Sequence, residues 1–349
     1  MSLSLISCIS LIYCNLFILD LPIVVFQDCK IYLLFVMSHN YKIQEVTSLD
    51  LPELQPYQTL RRPLEHIRDG IFVAEGEKVV RRLLTSDLII ISMLMTPQWH
   101  KSFFPNKYQT SDIGLPPDDH SKTPILHHSI PGIHSAQQPT VFIVEKNLIE
   151  TIVGFNLHQG IMAIAKVPEQ KTLDEMITEI TKPHLLIALD GLVNSENVGV
   201  IVRNCAAFGV DGIIVGENSS SPYLRRAVRN SMGAVFGLPV VHSTNLVESL
   251  SMIKKNYSTK IIAAHLGKDN SIHTTDFNGN ICIVLGNEGE GISKKVLDAC
   301  DMSVTIPMMN GTDSLNVASA SAVFLYEARK QRMNPQNNRQ RTNNHETFC

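Results

Sequence analysis

The second half of the chain alternates apolar runs of strand length with segments of helical periodicity. The runs HLLIALD, KIIAAH and ICIVLG are almost wholly apolar, which is typical of strands buried on both faces. Strands that alternate with helices build a parallel sheet covered by helices on both faces. Residues 184–332 are therefore predicted to form such an α/β domain. Its predicted strands are 184–190, 212–216, 239–241, 260–265, 281–286 and 303–307, and its predicted helices span 198–208 and 246–253 and begin at Pro222, Ser293 and Ser314.

Residues 41–168 carry the pattern of a second, smaller α/β domain. A short strand around Ile71 and Val73 and a helix through residues 79–84 are predicted between 64 and 86, followed by strands at 88–95, 141–145 and 160–167. Residues 96–139 are rich in Pro, His, Ser and Asp and are predicted to be an exposed insertion.

Three further segments flank these domains. Residues 169–183 predict a charged linker with one short amphipathic helix, and residues 333–349, rich in Asn, Gln and Arg, predict a disordered tail. Residues 1–36 are an apolar leader without the basic start and small-residue cleavage site of a secretory signal. We expect the leader to be an upstream extension, with the natural start at Met37; a membrane or organelle address is the alternative.

Composition changes this picture little. The net charge of −3 neither indicates nor excludes a nucleic-acid partner. Seven cysteines without a C-x-x-C pair argue against a zinc site and a disulfide framework, so we predict no metal and a reducing, cytoplasmic compartment. The histidines at 127, 128 and 134 are interpreted as part of a proline-rich surface loop.

Candidate chemistry falls at the carboxyl ends of the predicted parallel strands, where open α/β sheets bind ligands. The strand at 281–285 runs into Gly286–Gly291, a turn of sequence GNEGEG that lets backbone approach a ligand. Its spacing is neither a dinucleotide fingerprint nor a P-loop. By itself, this turn is equally consistent with an ordinary tight turn.

Three separated blocks together are more specific. They are NSENVGVIVRNCAAFG at 194–209, the 286–291 turn with Ile306 to Met308 downstream, and DSLNVAS at 313–319. In all three the chain resembles the SpoU or TrmH family of SPOUT methyltransferases, which methylate ribose 2'-hydroxyls of RNA. The front domain more loosely resembles the family's small RNA-binding domain, through FVAEGEKVVRRLL and GIMAIAKVP.

The resemblance implies a C-terminal trefoil knot, an exception to the usual absence of knots. It also implies a homodimer and S-adenosylmethionine as cofactor. The expected cofactor-binding residues are Gly286, Asn287, Ile306, Met308 and Leu315.

The resemblance also implies roles in catalysis. Arg203 would orient the 2'-hydroxyl and stabilise developing negative charge, since an arginine is nearly always protonated. Asn197 and Asn316 would fix the Arg203 loop and the end of the knot, or else Asn197 and Ser314 would simply cap helices. Glu288 would anchor the glycine turn or pair with Arg203.

The expected substrate is structured RNA, with large-subunit ribosomal RNA favoured over tRNA because the front domain resembles those of ribosomal enzymes. Arg225, Arg226 and Arg229 are the candidate RNA-binding residues. A tRNA methyltransferase, an inactive RNA-binding module and a dinucleotide oxidoreductase are the alternatives. The missing dinucleotide fingerprint disfavours the oxidoreductase.

Overall fold

The computed structural model describes most of the chain from residue 41 onward. The described residues are 41–48, 50–104, 138–153, 160–266, 270–309 and 314–333. The leader 1–36, residues 105–137 of the insertion and the tail from 334 to 349 lie outside them. In the described part, no helix combines the length and the apolar composition needed to cross a membrane.

The front of the chain forms a five-stranded mixed sheet. Its strands are β1 (Lys42–Val46), β2 (Ile71–Glu75), β3 (Ile90–Met95), β4 (Thr140–Val144) and β5 (Ile161–Lys166). They lie in the order β1-β4-β3-β5-β2, with β5 antiparallel to both β2 and β3. The sequence did not predict β1, because this edge strand buries only Val46 and so lacks an apolar pattern.

The second sheet has six strands, all parallel, as the sequence predicts. They are β6 (Leu185–Leu189), β7 (Gly212–Val215), β8 (Val240–His242), β9 (Lys260–Ala264), β10 (Ile281–Leu285) and β11 (Met302–Val304), in the order β11-β9-β10-β6-β7-β8. Every residue of β6 and β10 is buried. Burial of both alternating sets of side chains requires cover on both faces of the sheet.

The predicted helices are all present with shifted ends, and the front domain has further helices that the sequence did not predict. In the front domain they are a short 3-10 helix (Pro52–Leu54), α1 (Gln55–Gln58), α2 (Pro63–Arg68), α3 (Glu77–Leu84), α4 (Pro97–Phe103) and α5 (Lys146–Val153). The later helices are α6 (Leu173–Thr178), α7 (Ser195–Phe208), α8 (Arg225–Asn230), α9 (Leu246–Tyr257), α10 (Lys294–Ala299) and α11 (Val317–Met333), with a 3-10 helix at Ala234–Gly237.

Two of these helices lie in segments that the sequence assigned to a linker and an insertion. Helix α6 packs Leu173, Met176 and Ile177 into the core of the parallel sheet, so the predicted linker is partly core. Helix α4 lies at the start of the predicted insertion and buries Phe103 completely. Its proline occupies the first helical turn, where a missing amide proton is tolerated; sequence reasoning took that proline for a sign of a loop.

The capping prediction for Asn197 and Ser314 was wrong. The side chain of Asn194 caps α7 by accepting a hydrogen bond from the amide of Glu196 (2.9 Å), and Asn197 lies inside the helix. The side chain of Asn316 accepts from the amide of Ala318 (2.9 Å) and so caps α11. Both helices therefore start at a neighbouring polar residue.

Candidate active site

Strand β10 ends in a tight turn at the carboxyl edge of the parallel sheet. The amide of Asn287 donates to the carbonyl of Gly291 (2.9 Å), and the amide of Gly291 donates back to the carbonyl of Asn287 (3.0 Å). A Cβ atom on Gly286 would lie 2.4 Å from backbone atoms of Gly291 and Ile292. Because real Cβ atoms do not approach backbone so closely, the turn requires glycine at position 286.

The side chain of Asn287 holds the turn from inside and ties it to the next strand loop. Its Oδ1 accepts from the amides of Gly289 (2.8 Å) and Glu290 (3.1 Å), and its Nδ2 donates to the carbonyl of Gly191 (2.8 Å). Gly191 follows β6, so one amide group connects the ends of two adjacent strands. The turn is thus fixed in place by hydrogen bonds at both ends of this side chain.

A cavity of about 420 Å³ lies against this turn. The cavity wall includes all five predicted cofactor-binding residues, Gly286, Asn287, Ile306, Met308 and Leu315, together with Glu288 and Asn316. Sequence reasoning pointed to the loop after β9 in general but did not single out its residues Ala264, His265 and Leu266, which also line the cavity. The sequence feature that could have identified these three residues is the parallel strand β9, because its carboxyl end lies next to that of β10.

Three polar side chains form a hydrogen-bonded chain at one side of the cavity. The Nδ2 of Asn197 donates to Glu288 Oε1, and the Nδ2 of Asn316 donates to Asn197 Oδ1 (3.3 Å). This chain joins α7, the glycine turn and the start of α11. Residues that are far apart in sequence are therefore held together at the cavity.

Arg203 lies two turns along α7 from Asn197, with its side chain exposed. Among the described residues it makes no hydrogen bond or ion pair, and Glu288 binds Asn197 rather than Arg203. On an α-helix Arg203 shares a stripe with Glu196 and Val200. The adjacent residue Asn204 donates to Ala318 O and Ser321 Oγ of α11, both at 2.9 Å, which anchors the helix beneath Arg203.

The three candidate RNA-binding arginines of α8 differ in their surroundings. Arg225 is largely buried and pairs with Glu75 at 2.5 Å, whereas the Arg229 side chain is 58% exposed and lies 3.4 Å from the same carboxylate. Arg226 is 68% exposed and lies 3.5 Å from Glu196. Only Arg226 and Arg229 thus present most of their charge to solvent.

No group of three or more His, Cys, Asp or Glu side chains arranged to hold a metal ion occurs in the described ranges. The expectation of a metal-free site stays a prediction.

A parallel α/β domain with a glycine turn and a small-molecule cavity at the carboxyl edge of its sheet defines a class of ligand-binding domain. Residues 184–326 match the SpoU rRNA methylase family. Over 192 residues, the chain is 32% identical to the 23S rRNA (guanosine-2'-O-)-methyltransferase RlmB of Acinetobacter baylyi, covering 54% of this chain and 77% of the relative. The chain belongs to the SpoU rRNA methylase family.

Other relatives are matched over less of their length. The chain is 33% identical to an uncharacterised tRNA/rRNA methyltransferase of Mycobacterium ulcerans over 54% of this chain, and it spans 61% of that relative's length.

Solved structures agree on the fold. The SpoU methyltransferase AviRb of Streptomyces viridochromogenes, in complex with AdoMet, has a TM-score of 0.65 at 21% identity and covers 81% of this chain and 99% of its own. An AdoMet-bound rRNA methyltransferase of Sinorhizobium meliloti has a TM-score of 0.64 at 23% identity. The match covers 83% of this chain and 98% of the S. meliloti chain. At these identities the likeness shows the fold alone.

Proposed function

We propose that this chain is an S-adenosylmethionine-dependent methyltransferase that methylates a ribose 2'-hydroxyl of RNA, with large-subunit ribosomal RNA as its substrate. One observation carries the proposal: the glycine turn and the Asn197–Glu288–Asn316 hydrogen bonds meet at one cavity, on the edge of the sheet where the family match lies.

The cavity fits the proposed cofactor. Its volume of about 420 Å³ lies within the range of roughly 300–1,000 Å³ that is usual for small-molecule sites. The wall combines backbone groups of the turn with apolar side chains, among them Ile306 and Leu315. Such a wall suits an adenine ring and a methionine chain, with Gly286 offering backbone groups to the polar atoms. The name of AviRb's bound ligand, AdoMet, supports the same assignment.

In the proposed reaction, S-adenosylmethionine supplies an electrophilic methyl group on a sulfonium centre. Arg203 orients the ribose hydroxyl and the neighbouring phosphate and stabilises the negative charge that develops on the oxygen. Asn197 and Asn316 hold the helix that carries Arg203 against the glycine turn, and Glu288 anchors this connection. The exposed Arg203 has no competing partner among the described residues, so its donors are available to RNA.

Ribosomal RNA is the favoured substrate because the RlmB relatives from Acinetobacter baylyi and Pasteurella multocida are named as 23S rRNA enzymes. The name of the mycobacterial relative admits tRNA as well. We propose that the front mixed sheet is the substrate-binding domain, which also favours ribosomal RNA by analogy.

We further propose a trefoil knot and a homodimer. Support for the knot is the contact of Asn316, at the start of α11, with Asn197 of α7, which also binds Glu288 of the turn after β10. Support for a dimer is the exposed apolar surface of α11, on which Tyr326 is 59% exposed. The ring of Tyr326 packs edge-on against the ring of Phe208, with 6.3 Å between the ring centroids. The free cysteines Cys205 and Cys282 support a reducing, cytoplasmic location.

The test is methyl transfer with purified protein. Unmodified transcripts of large-subunit ribosomal RNA and of tRNA are incubated with methyl-labelled S-adenosylmethionine, and the modified positions are mapped by primer extension. Label in alkali-resistant 2'-O-methyl dinucleotides of the ribosomal transcript supports the proposal. Label confined to tRNA would overturn the substrate assignment. Absence of both S-adenosylmethionine binding and label would overturn the proposed enzyme.

A further inference from the structure

A second and larger cavity, of about 880 Å³, lies between the front domain and helices α7 and α8. We name it the arginine cleft. The residues that matter for its chemistry are Arg61 from the front domain, Ser195 and Glu196 from α7, and Arg225, Arg226 and Arg229 from α8. The arginine cleft is distinct from the active-site cavity, with which it shares no lining residue.

The cleft carries an excess of positive charge. Its lining contains four arginines and one carboxylate, that of Glu196, and the carboxylate of Glu75 lies beside Arg225 and Arg229. The carboxylate of Glu75 neutralises the charge of Arg225, since its Oε2 lies 2.5 Å from Arg225 Nη1. The Arg225 side chain is 15% exposed. Arg61 is exposed, and the Arg226 and Arg229 side chains are 68% and 58% exposed, so these three guanidinium groups face solvent inside a concave surface.

The two walls of the cleft are joined by aromatic and polar contacts. The ring of Phe72 packs against Tyr223 (5.6 Å between centroids) and Phe236 (5.5 Å), and Arg82 Nη1 donates to the carbonyl of Met232 (2.8 Å). Together with the Glu75–Arg225 ion pair, these contacts set the spacing between Arg61 and the arginines of α8. The cleft is therefore preformed, which lowers the entropic cost of binding an extended polyanion.

We propose that the arginine cleft binds phosphates of the RNA strand that flanks the target nucleotide. Arg61, Arg226 and Arg229 make the phosphate contacts, while Arg225 is a structural residue neutralised by Glu75. This inference rests on the proposed function, since it names how the same substrate is held. Guanidinium groups suit the role because they bind phosphate with two parallel hydrogen bonds.

The position of the cleft relative to the active site favours RNA over a small anion. Ser195 and Glu196 line the cleft, and Asn197, the next residue of α7, belongs to the hydrogen-bonded chain at the cofactor cavity. One helical residue advances only about 1.5 Å along the axis. Arg203 follows Glu196 by seven residues on the same stripe of α7, about 10.5 Å along the axis, so a strand whose phosphates lie in the cleft can continue along α7 toward Arg203.

The test compares neighbouring arginines. The two cleft variants are Arg61→Gln and the double variant Arg226→Gln/Arg229→Gln. The control is Arg62→Gln, which removes the same charge from the residue next to Arg61, at a side chain that is paired with Glu65. The probe is an unmodified large-subunit ribosomal RNA transcript, and its Kd is measured over a range of salt concentrations. We expect the Kd to rise about threefold to tenfold per lost contact and the salt slope to fall by about one per lost contact.

The KM for RNA should rise in the cleft variants, while kcat at saturating RNA and the Kd for S-adenosylmethionine stay at wild-type values. An unchanged Kd and an unchanged salt slope in both cleft variants would overturn the proposal, as would an equal loss in Arg62→Gln. If the wild type binds the transcript through these arginines but transfers no methyl group, the cleft is supported and the proposed enzyme is overturned.

Discussion

Arg225 Nη1 lies 2.5 Å from Glu75 Oε2, although the two residues are 150 positions apart in sequence. Both side chains are largely buried, and the same carboxylate also lies 3.4 Å from Arg229. The buried carboxylate of Glu75 lies between two guanidinium groups and links the front domain to α8. Removing one partner of this buried ion pair costs more than breaking a surface ion pair, because the remaining charge is left buried and uncompensated.

Glu75→Gln is expected to lower the free energy of unfolding by about 2–3 kcal/mol, because Arg225 loses its counter-charge in a buried position. Urea denaturation measures the change. Glu179→Gln removes a carboxylate that is 60% exposed and paired with Lys171, and it should cost less than about 1 kcal/mol. Equal losses in the two variants would contradict a special role for Glu75.

Arg203→Ala is expected to reduce methyl transfer at least about 100-fold while leaving S-adenosylmethionine binding intact, because the arginine acts on the charge of the RNA oxygen. Single-turnover methylation and calorimetry measure the two quantities. Arg329→Ala, near Gly209 at the other end of α7, is the matched control and should keep its activity. Full activity in Arg203→Ala would refute the assigned role.

Gly286→Ala is expected to raise the Kd for S-adenosylmethionine by roughly tenfold or more, about 1.4 kcal/mol or more. The added Cβ would lie 2.4 Å from Gly291 and Ile292, so the turn must open. Gly237→Ala is the control, since nothing lies within 4 Å of its Cβ position. Circular dichroism of both variants separates a local opening of the turn from global unfolding, and a normal Kd in Gly286→Ala would argue against the turn as the cofactor site.

Arg332→Ala is expected to destabilise the protein by about 3 kcal/mol. The guanidinium donates to the carbonyls of Phe277, Pro183, His184 and Gly279 at 2.6–3.0 Å, and all four of these hydrogen bonds from a charged donor would be lost. Lys330→Ala, two residues away and about half exposed, should cost less than about 1 kcal/mol. Thermal unfolding distinguishes the two, and similar melting temperatures would contradict the prediction.

The stability of the protein should fall as the pH is lowered, and protonation of His184 is one cause. Burial lowers the pKa of this histidine, whose Nε2 lies 2.8 Å from Thr259 Oγ1. Because the unfolded state binds the proton more readily, the stabilising contribution of neutral His184 is present above pH about 6.5 and is lost as the pH falls through the folded-state pKa.

In His184→Gln the decrease in urea midpoint between pH 7.5 and 5.5 should be smaller than in the wild type. A residual decrease should remain, since burial also lowers the pKa of His242. An identical pH dependence in the two proteins would remove His184 as a cause.

The parallel sheet could be predicted because its strands are buried on both faces and so read as continuous apolar runs, as in β6 and β10. The residues of the active-site cavity could be named because they lie in one ordered set of motifs, and their binding of the cofactor stays a prediction. Gly286, Ile306 and Leu315 line one cavity, as the resemblance implied.

What the sequence could not show are contacts between distant side chains. Nothing in the local pattern at Glu75 indicates Arg225, and the similar neighbours Arg225 and Arg226 gave no sign that one is buried and the other exposed. The sequence also offers two asparagines, Asn194 and Asn197, three residues apart at the start of α7, and the local pattern does not show that Asn194, in the extended conformation (ψ 104°), is the cap.

The contacts of Arg332 bring the last turn of α11 against Pro183 and His184, which directly precede β6. The chain therefore enters the first strand of the parallel sheet and leaves its last helix at one place on the surface. Because α6 also packs into the core of this sheet, a circular permutant has to retain Leu173–Thr178 and join the chain to residue 333 ahead of that helix.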